Sequence, residues 1–163
     1  MTIVNGMPAH ALLLHFVVVL VPLTALLEIV CGLWEGARRG QPLWLTLILA
    51  AITMVLTPIT VDAGEWLYDQ HANTTPILNE HAARGSLMTY FAAALLVAAI
   101  ALVGLRAVER RSDKSHVAAR VVVTVVVLAA GMSSMIQIYR VGDAGARSVW
   151  GGELAHLEHS HGG

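Results

Sequence analysis

Eight histidines stand in a chain that carries only ten Lys or Arg and eleven Asp or Glu, and three of them sit where apolar runs begin. His10 and His15 open one run, and His81 stands just ahead of another. Imidazole is the commonest protein ligand for transition metals and an axial ligand of haem iron. Five positions turn a helix by about 140°, so His10 and His15 do not both aim at one centre. One of them is expected to meet His81 and the other to line a neighbouring wall. For haem b, His15 and His81 are the expected axial pair, with His10 as the alternate. Arg84 and Arg140 would neutralise the propionates, and Ala129, Ala130, Gly131, Ser133 and Ser134 would leave room for the macrocycle. For a bare transition-metal ion, His10, His15 and His81 are joined by Asp62, Glu65 and Met132 or Met135. Sulfur would favour copper, and carboxylate with imidazole would favour zinc. Neither a CxxCH nor an HExxH motif is present. The plainer alternative is that these side chains end helices in hydrated headgroups and hold nothing. No arrangement points to a nucleophile or a substrate pocket, so catalysis is not expected.

The elements that position these groups are legible from charge. The chain of 163 residues is 56% hydrophobic and 13% charged, against roughly a quarter charged in ordinary domains. Residues 9–27, 42–61, 85–105 and 121–139 contain no Asp, Glu, Lys or Arg. About 20 apolar residues at ~1.5 Å rise cross a ~30 Å hydrocarbon layer. An all-α integral membrane protein of four transmembrane helices is therefore expected, with spans near 9–34, 42–66, 77–106 and 117–140. Residues 1–141 would form one domain, and 142–163 an outer, partly flexible segment. A net charge of −1 gives no case for nucleic acid. Cys31, the single cysteine, lies in the first span and reads as a small buried hydrophobe. The apolar run from Ala9 lacks a basic start, so it reads as a retained helix.

Short connections force antiparallel neighbours, an up-down-up-down bundle with both termini on one side. Arg38, Arg39, Arg106, Arg110, Arg111, Lys114 and Arg120 fall at one end, against Arg84, Arg140 and Arg147 at the other. The positive-inside rule puts the first set in the cytoplasm and both termini outside. His10, His15, His71, His81, His156, His159 and His161 then share the outer side. Counting about 20 residues outward from Trp34, Trp44, Arg106 and Arg120 sets the outer boundary near Leu14, Gly64, Ser86 and Arg140. His10 and His81 stand four and five residues beyond it, roughly 6–8 Å on a helical rise. Thr75-Pro76 reads as an N-cap followed by Pro at the first helical position. His10-Ala11 and His81-Ala82 at one height hint that the two hairpins repeat, with spans one and three diagonal across the bundle.

Other readings need no cofactor. Ala92-Ala93-Ala94 and the run 129–134 allow close helix approach, as an accessory or assembly subunit of a larger membrane complex would need. Glu28, about 9 Å inside the inner boundary, is the kind of group that marks transport or a proton relay. No polar file accompanies it, and pairing with Arg120 is the plainer expectation. Thr57-Pro58 is expected to kink span two, with Thr57 or Thr60 re-satisfying freed backbone groups. The stretch Gly142-Asp143-Ala144-Gly145-Ala146-Arg147 reads as a turn, and Trp150 as an interfacial aromatic. His156, His159 and His161 would bind metal loosely or lie on a solvated tail.

Gly6-Met7-Pro8-Ala9-His10-Ala11-Leu12-Leu13-Leu14-His15-Phe16, His81 with Gly85, and the closing Gly142-Asp143-Ala144-Gly145-Ala146-Arg147-Ser148-Val149-Trp150-Gly151-Gly152 together resemble a bacterial membrane family, domain of unknown function 2231. That family usually places Pro after the first His, where Ala11 stands here. The resemblance implies a four-helix membrane domain. Some relatives are joined to Rieske-type or c-type cytochrome domains, which implies a redox setting. The expected protein is thus a multi-pass component of a bacterial inner (cytoplasmic) membrane. Its partners would be the lipid bilayer and respiratory or other redox membrane proteins. Its expected role is electron transfer through haem b or a metal ion.

Overall fold

A computed structural model describes residues 3–4, 7–70, 75–111 and 116–160, with side chains over 10, 12–70, 75–111 and 116–147. A two-residue ladder opens the chain, β1 (Ile3–Val4) antiparallel to β2 (Met7–Pro8). Six helices follow: α1 (Ala9–Leu33), α2 (Glu35–Arg39), α3 (Gln41–Asp69), α4 (Pro76–Ser86), α5 (Met88–Arg111) and α6 (Val117–Ser160). Four segments are long and apolar enough to cross a membrane, Leu12–Leu33, Gln41–Asp69, Pro76–Arg111 and Val117–Arg147.

Local chemistry sets the boundaries. Trp34, extended at φ −112° and ψ 111°, separates α1 from α2, and Gly40 with Pro42 starts α3. Thr75 caps α4 as the sequence requires: its Oγ accepts the Leu78 N–H at 3.2 Å, and Pro76 follows at the first position. Pro58 does not end α3. Thr57 and Thr60 instead donate to the carbonyls of Thr53 and Leu56, each at 2.7 Å.

The helices close into a ring in chain order. α1 packs on α3 and α6, α5 packs on the same two, and α1 also touches α5 across the centre. Bonded partners run in opposite directions along α1 and α3: His10 meets Thr60, Thr24 meets Thr53, and Cys31 meets Thr46. Ala25, Ala50, Ala92, Ala98 and Ala99 are fully buried, so small side chains let the backbones approach. Val17, Val21, Met88, Leu95, Ile138 and Val141 fill one half of the core. Cys31, Leu43, Leu102 and Val127 fill the other. Phe16, Ile48, Val97 and Val125 are more than half exposed around the perimeter, the inverse of a soluble surface and the expected face toward lipid.

One local expectation is corrected. Residues 142–147 are helical, part of the unbroken α6, rather than a turn. A glycine costs a helix only about 1 kcal/mol, while here Val141 and Ala144 are buried and Arg147 pairs with Asp143 one turn away. Within the third span, Pro76–Arg111, a single turn residue in the right-handed helical region, Leu87, joins α4 to α5.

Candidate functional site

His10 and His81 come from diagonal spans and line one apolar cavity of about 110 Å³ at the same end of the bundle. Leu14 and Val17 of α1, Thr57, Val61 and Glu65 of α3, Leu78 and Gly85 of α4, Met88 of α5, and Ile138 of α6 contribute to its wall. Each imidazole is held in the same way. His10 Nδ1 lies 3.0 Å from the Thr60 carbonyl oxygen, and its ring rests on Gly64, where an added Cβ would stand 2.8 Å from Cε1. His81 Nδ1 lies 3.1 Å from the Val141 carbonyl oxygen, and its ring rests on Gly145, with Cε1 3.0 Å from the same construction. A carbonyl only accepts, so Nδ1 must carry the proton, and Nε2 is the lone-pair nitrogen of the neutral ring. A carbonyl on Nδ1 is also the usual outer-shell partner of a metal-ligating histidine.

This correspondence extends along both hairpins. Asp62-Ala63-Gly64 on α3 returns as Asp143-Ala144-Gly145 on α6, each one turn past the carbonyl that takes the imidazole proton. The sequence interval from His10 to His81 also relates Val17 to Met88, Val21 to Ala92, Thr24 to Leu95, Glu28 to Ala99 and Cys31 to Leu102, and all of these are buried. At the far end the matching pair Arg38 and Glu109 form an ion pair, Nη2 to Oε1 at 3.0 Å. The likeness hinted at by two dipeptides thus extends to the two glycine-backed imidazole seats.

The remaining candidates are placed differently. His15, expected as an axial ligand, is exposed and does not line the cavity, whereas His10, the alternate, does and meets the Thr60 carbonyl of α3. Asp62 and Glu65 are exposed, and only Glu65 borders the cavity. Arg84 pairs with Glu80 and donates to the Arg140 carbonyl at 3.3 Å, while Gln137 donates to the Arg84 carbonyl at 2.9 Å. The Arg140 side chain is exposed. Met132 is exposed, and Met135 packs against the core. Ala129 and Ser133 are exposed, and the Gly131 surface is covered by Ile29. The space near the histidines therefore comes from other residues than the small ones of α6. Among the described residues, no group of three or more His, Cys, Asp or Glu side chains converges. His71 and His161 lie outside the described residues, as do the side chains of Trp150, His156 and His159.

Deeper in the bundle, Glu28 is fully buried and neither carboxylate oxygen has a hydrogen-bond partner among the described residues. The expected partner Arg120 is committed elsewhere, to Glu35 and Glu109. The core is also more polar than expected, with Thr24, Thr46, Thr53, Thr57, Thr60 and Ser134 all buried. Three of these hydroxyls bond back to carbonyls of their own helix.

Fold and site together define a four-span helical membrane protein with an internally repeated histidine seat at one end. The chain belongs to the family of predicted membrane proteins called domain of unknown function 2231, which it matches over residues 6–157. No curated protein and no solved structure matches it.

Proposed function

We propose that the protein is a redox-linked membrane module that holds a metal centre between His10 and His81, with haem b as the group that best matches the donor set. The observation that carries this reading is the duplicated seat: two imidazoles from diagonal spans, each with Nδ1 on a carbonyl, line one apolar cavity. Two protein ligands suit a group that brings its other ligands with it, and a bare ion would need a third side chain, which does not converge here among the described residues. When bound, haem would supply one-electron transfer. The chain would hold the ring nitrogens in one tautomer and surround the group with an apolar wall.

The proposed setting is an up-down-up-down bundle in a bacterial inner membrane with both termini outside. The arginine-rich end would face the cytoplasm, and respiratory or other redox proteins would be the partners. The boundary expected between 141 and 142 falls inside α6, which runs unbroken from Val117 to Ser160. A second reading is favoured by the size of the enclosed space, about 110 Å³, against roughly 300–1,000 Å³ for common small-molecule pockets. In that reading the two histidines lock the helices of a cofactor-free accessory or assembly subunit. Visible absorption of protein produced with haem supplied separates the two. A Soret band lost in His81→Ala and in His10→Ala, but kept in His15→Ala, supports the first reading; colourless protein supports the second.

A further inference from the structure

The end of the bundle opposite the histidines holds a second cavity of about 430 Å³, between the α2–α3 corner and the last turns of α5. Arg38, Arg39, Arg106, Arg110 and Arg111 all contribute to its wall. Among the described residues their counter-charges are few. Arg38, 1% exposed, is fixed by Glu109 and by the carbonyls of Cys31 and Gly32. Arg39 pairs with Glu35. Both acids are shared with Arg120. Arg106, Arg110 and Arg111 have no acidic partner among the described residues. Three guanidinium groups around one cavity repel one another unless an anion sits among them.

The position selects the kind of anion. The cavity lies where apolar spans end, and its wall also includes Leu43, Val103 and the largely exposed Trp44. Tryptophan at a span end marks headgroup depth. Guanidinium forks match phosphate oxygens bidentately, and basic pockets between transmembrane helices take anionic lipid headgroups. A ligand that places a phosphodiester among the arginines and acyl chains along the Trp44 face satisfies both halves of the wall.

We infer that this cavity is a binding site for the phosphodiester headgroup of an anionic phospholipid. Arg38 forms its rigid floor, and Arg106, Arg110 and Arg111 provide the donors that exchange with lipid. The site is independent of anything held by His10 and His81.

The test uses the full chain in detergent, loaded from vesicles of phosphatidylglycerol or phosphatidylcholine, with retained lipid counted by native mass spectrometry. A near-surface arginine is worth about fivefold in anionic-lipid affinity, so three give a preference on the order of a hundredfold. The expected result is retention of phosphatidylglycerol by the wild type and its loss in the triple variant Arg106→Gln/Arg110→Gln/Arg111→Gln. The variant Arg140→Gln/Arg147→Gln, altered at the other end, should retain the lipid, and circular dichroism should show both variants folded. Equal retention of the two lipids by the wild type, or equal loss from both variants, overturns the proposal. Displacement of the lipid by inorganic phosphate alone would assign the cavity to a free anion and overturn the lipid assignment.

Discussion

Gly64→Ala places a methyl where the His10 ring now rests. The added carbon would stand 2.8 Å from Cε1, whereas carbon atoms settle at about 3.5–4.0 Å. The ring must therefore retreat by roughly 0.7–1.2 Å, which takes Nδ1 out of reach of the Thr60 oxygen, now 3.0 Å away. Losing that bond costs about 0.5–1.5 kcal/mol, and overpacking adds about 1–3 kcal/mol. The restricted unfolded chain returns about 0.4–1 kcal/mol, leaving a net loss of about 0.5–4 kcal/mol. Gly145→Ala should behave alike but more mildly, since its construction stands 3.0 Å from His81 Cε1. Gly142, one turn before Ala146 on the same helix, has nothing within 4 Å of an added Cβ. Gly142→Ala should therefore stabilise, by about 0.4–1 kcal/mol. Equilibrium unfolding in mixed micelles reads the sign, and nitrogen NMR of the imidazoles reads the lost Nδ1 bond. If Gly64→Ala is as stable as Gly142→Ala and its imidazole signals are unchanged, the seat described above does not exist.

Arg38→Ala removes the buried partner of the Glu109 carboxylate, which is 5% exposed, and leaves it only the half-exposed Arg120, so the loss should stay below the roughly 3–5 kcal/mol of a fully stranded buried charge. In the double variant with Glu109→Ala the loss should fall well short of the sum of the single losses, read by the same unfolding titration. Arg120→Ala, which removes a half-exposed cation from the same network, should cost at most about 1 kcal/mol. Glu28→Met replaces an unpartnered buried carboxyl with an apolar chain of similar length, and should raise stability by about 1–3 kcal/mol. A fall in stability would mean that the carboxyl has a partner in the folded protein.

The four spans were legible because a charge inside the bilayer is costly, so their absence from the sequence is itself the signal. The cap at Thr75-Pro76 was legible because it is local chemistry. The choice between His10 and His15 was not, because it depends on the rotation of α1 about its axis. That rotation is set by packing on α3, which the sequence of α1 does not contain. Gly145 was misread for a related reason. Within Gly142-Asp143-Ala144-Gly145 it looks like a turn residue, yet it sits in a helix because the His81 ring needs its bare surface. The repeated Asp-Ala-Gly of α3 and α6 was a visible signal that could have shown this. The Arg38–Glu109 pair joins distant parts of the chain, so height alone could not separate it from the expected pairing of Glu28 with Arg120.

The central claim is that His10 and His81 together hold one centre. The most direct measurement is the electron paramagnetic resonance and visible spectrum of protein produced with haem supplied and extracted from membranes. A low-spin, two-imidazole haem signal that disappears on substitution of either residue and survives His15→Ala is expected. A spectrum without haem from such material, or a haem signal untouched by His10→Ala and His81→Ala, would contradict it.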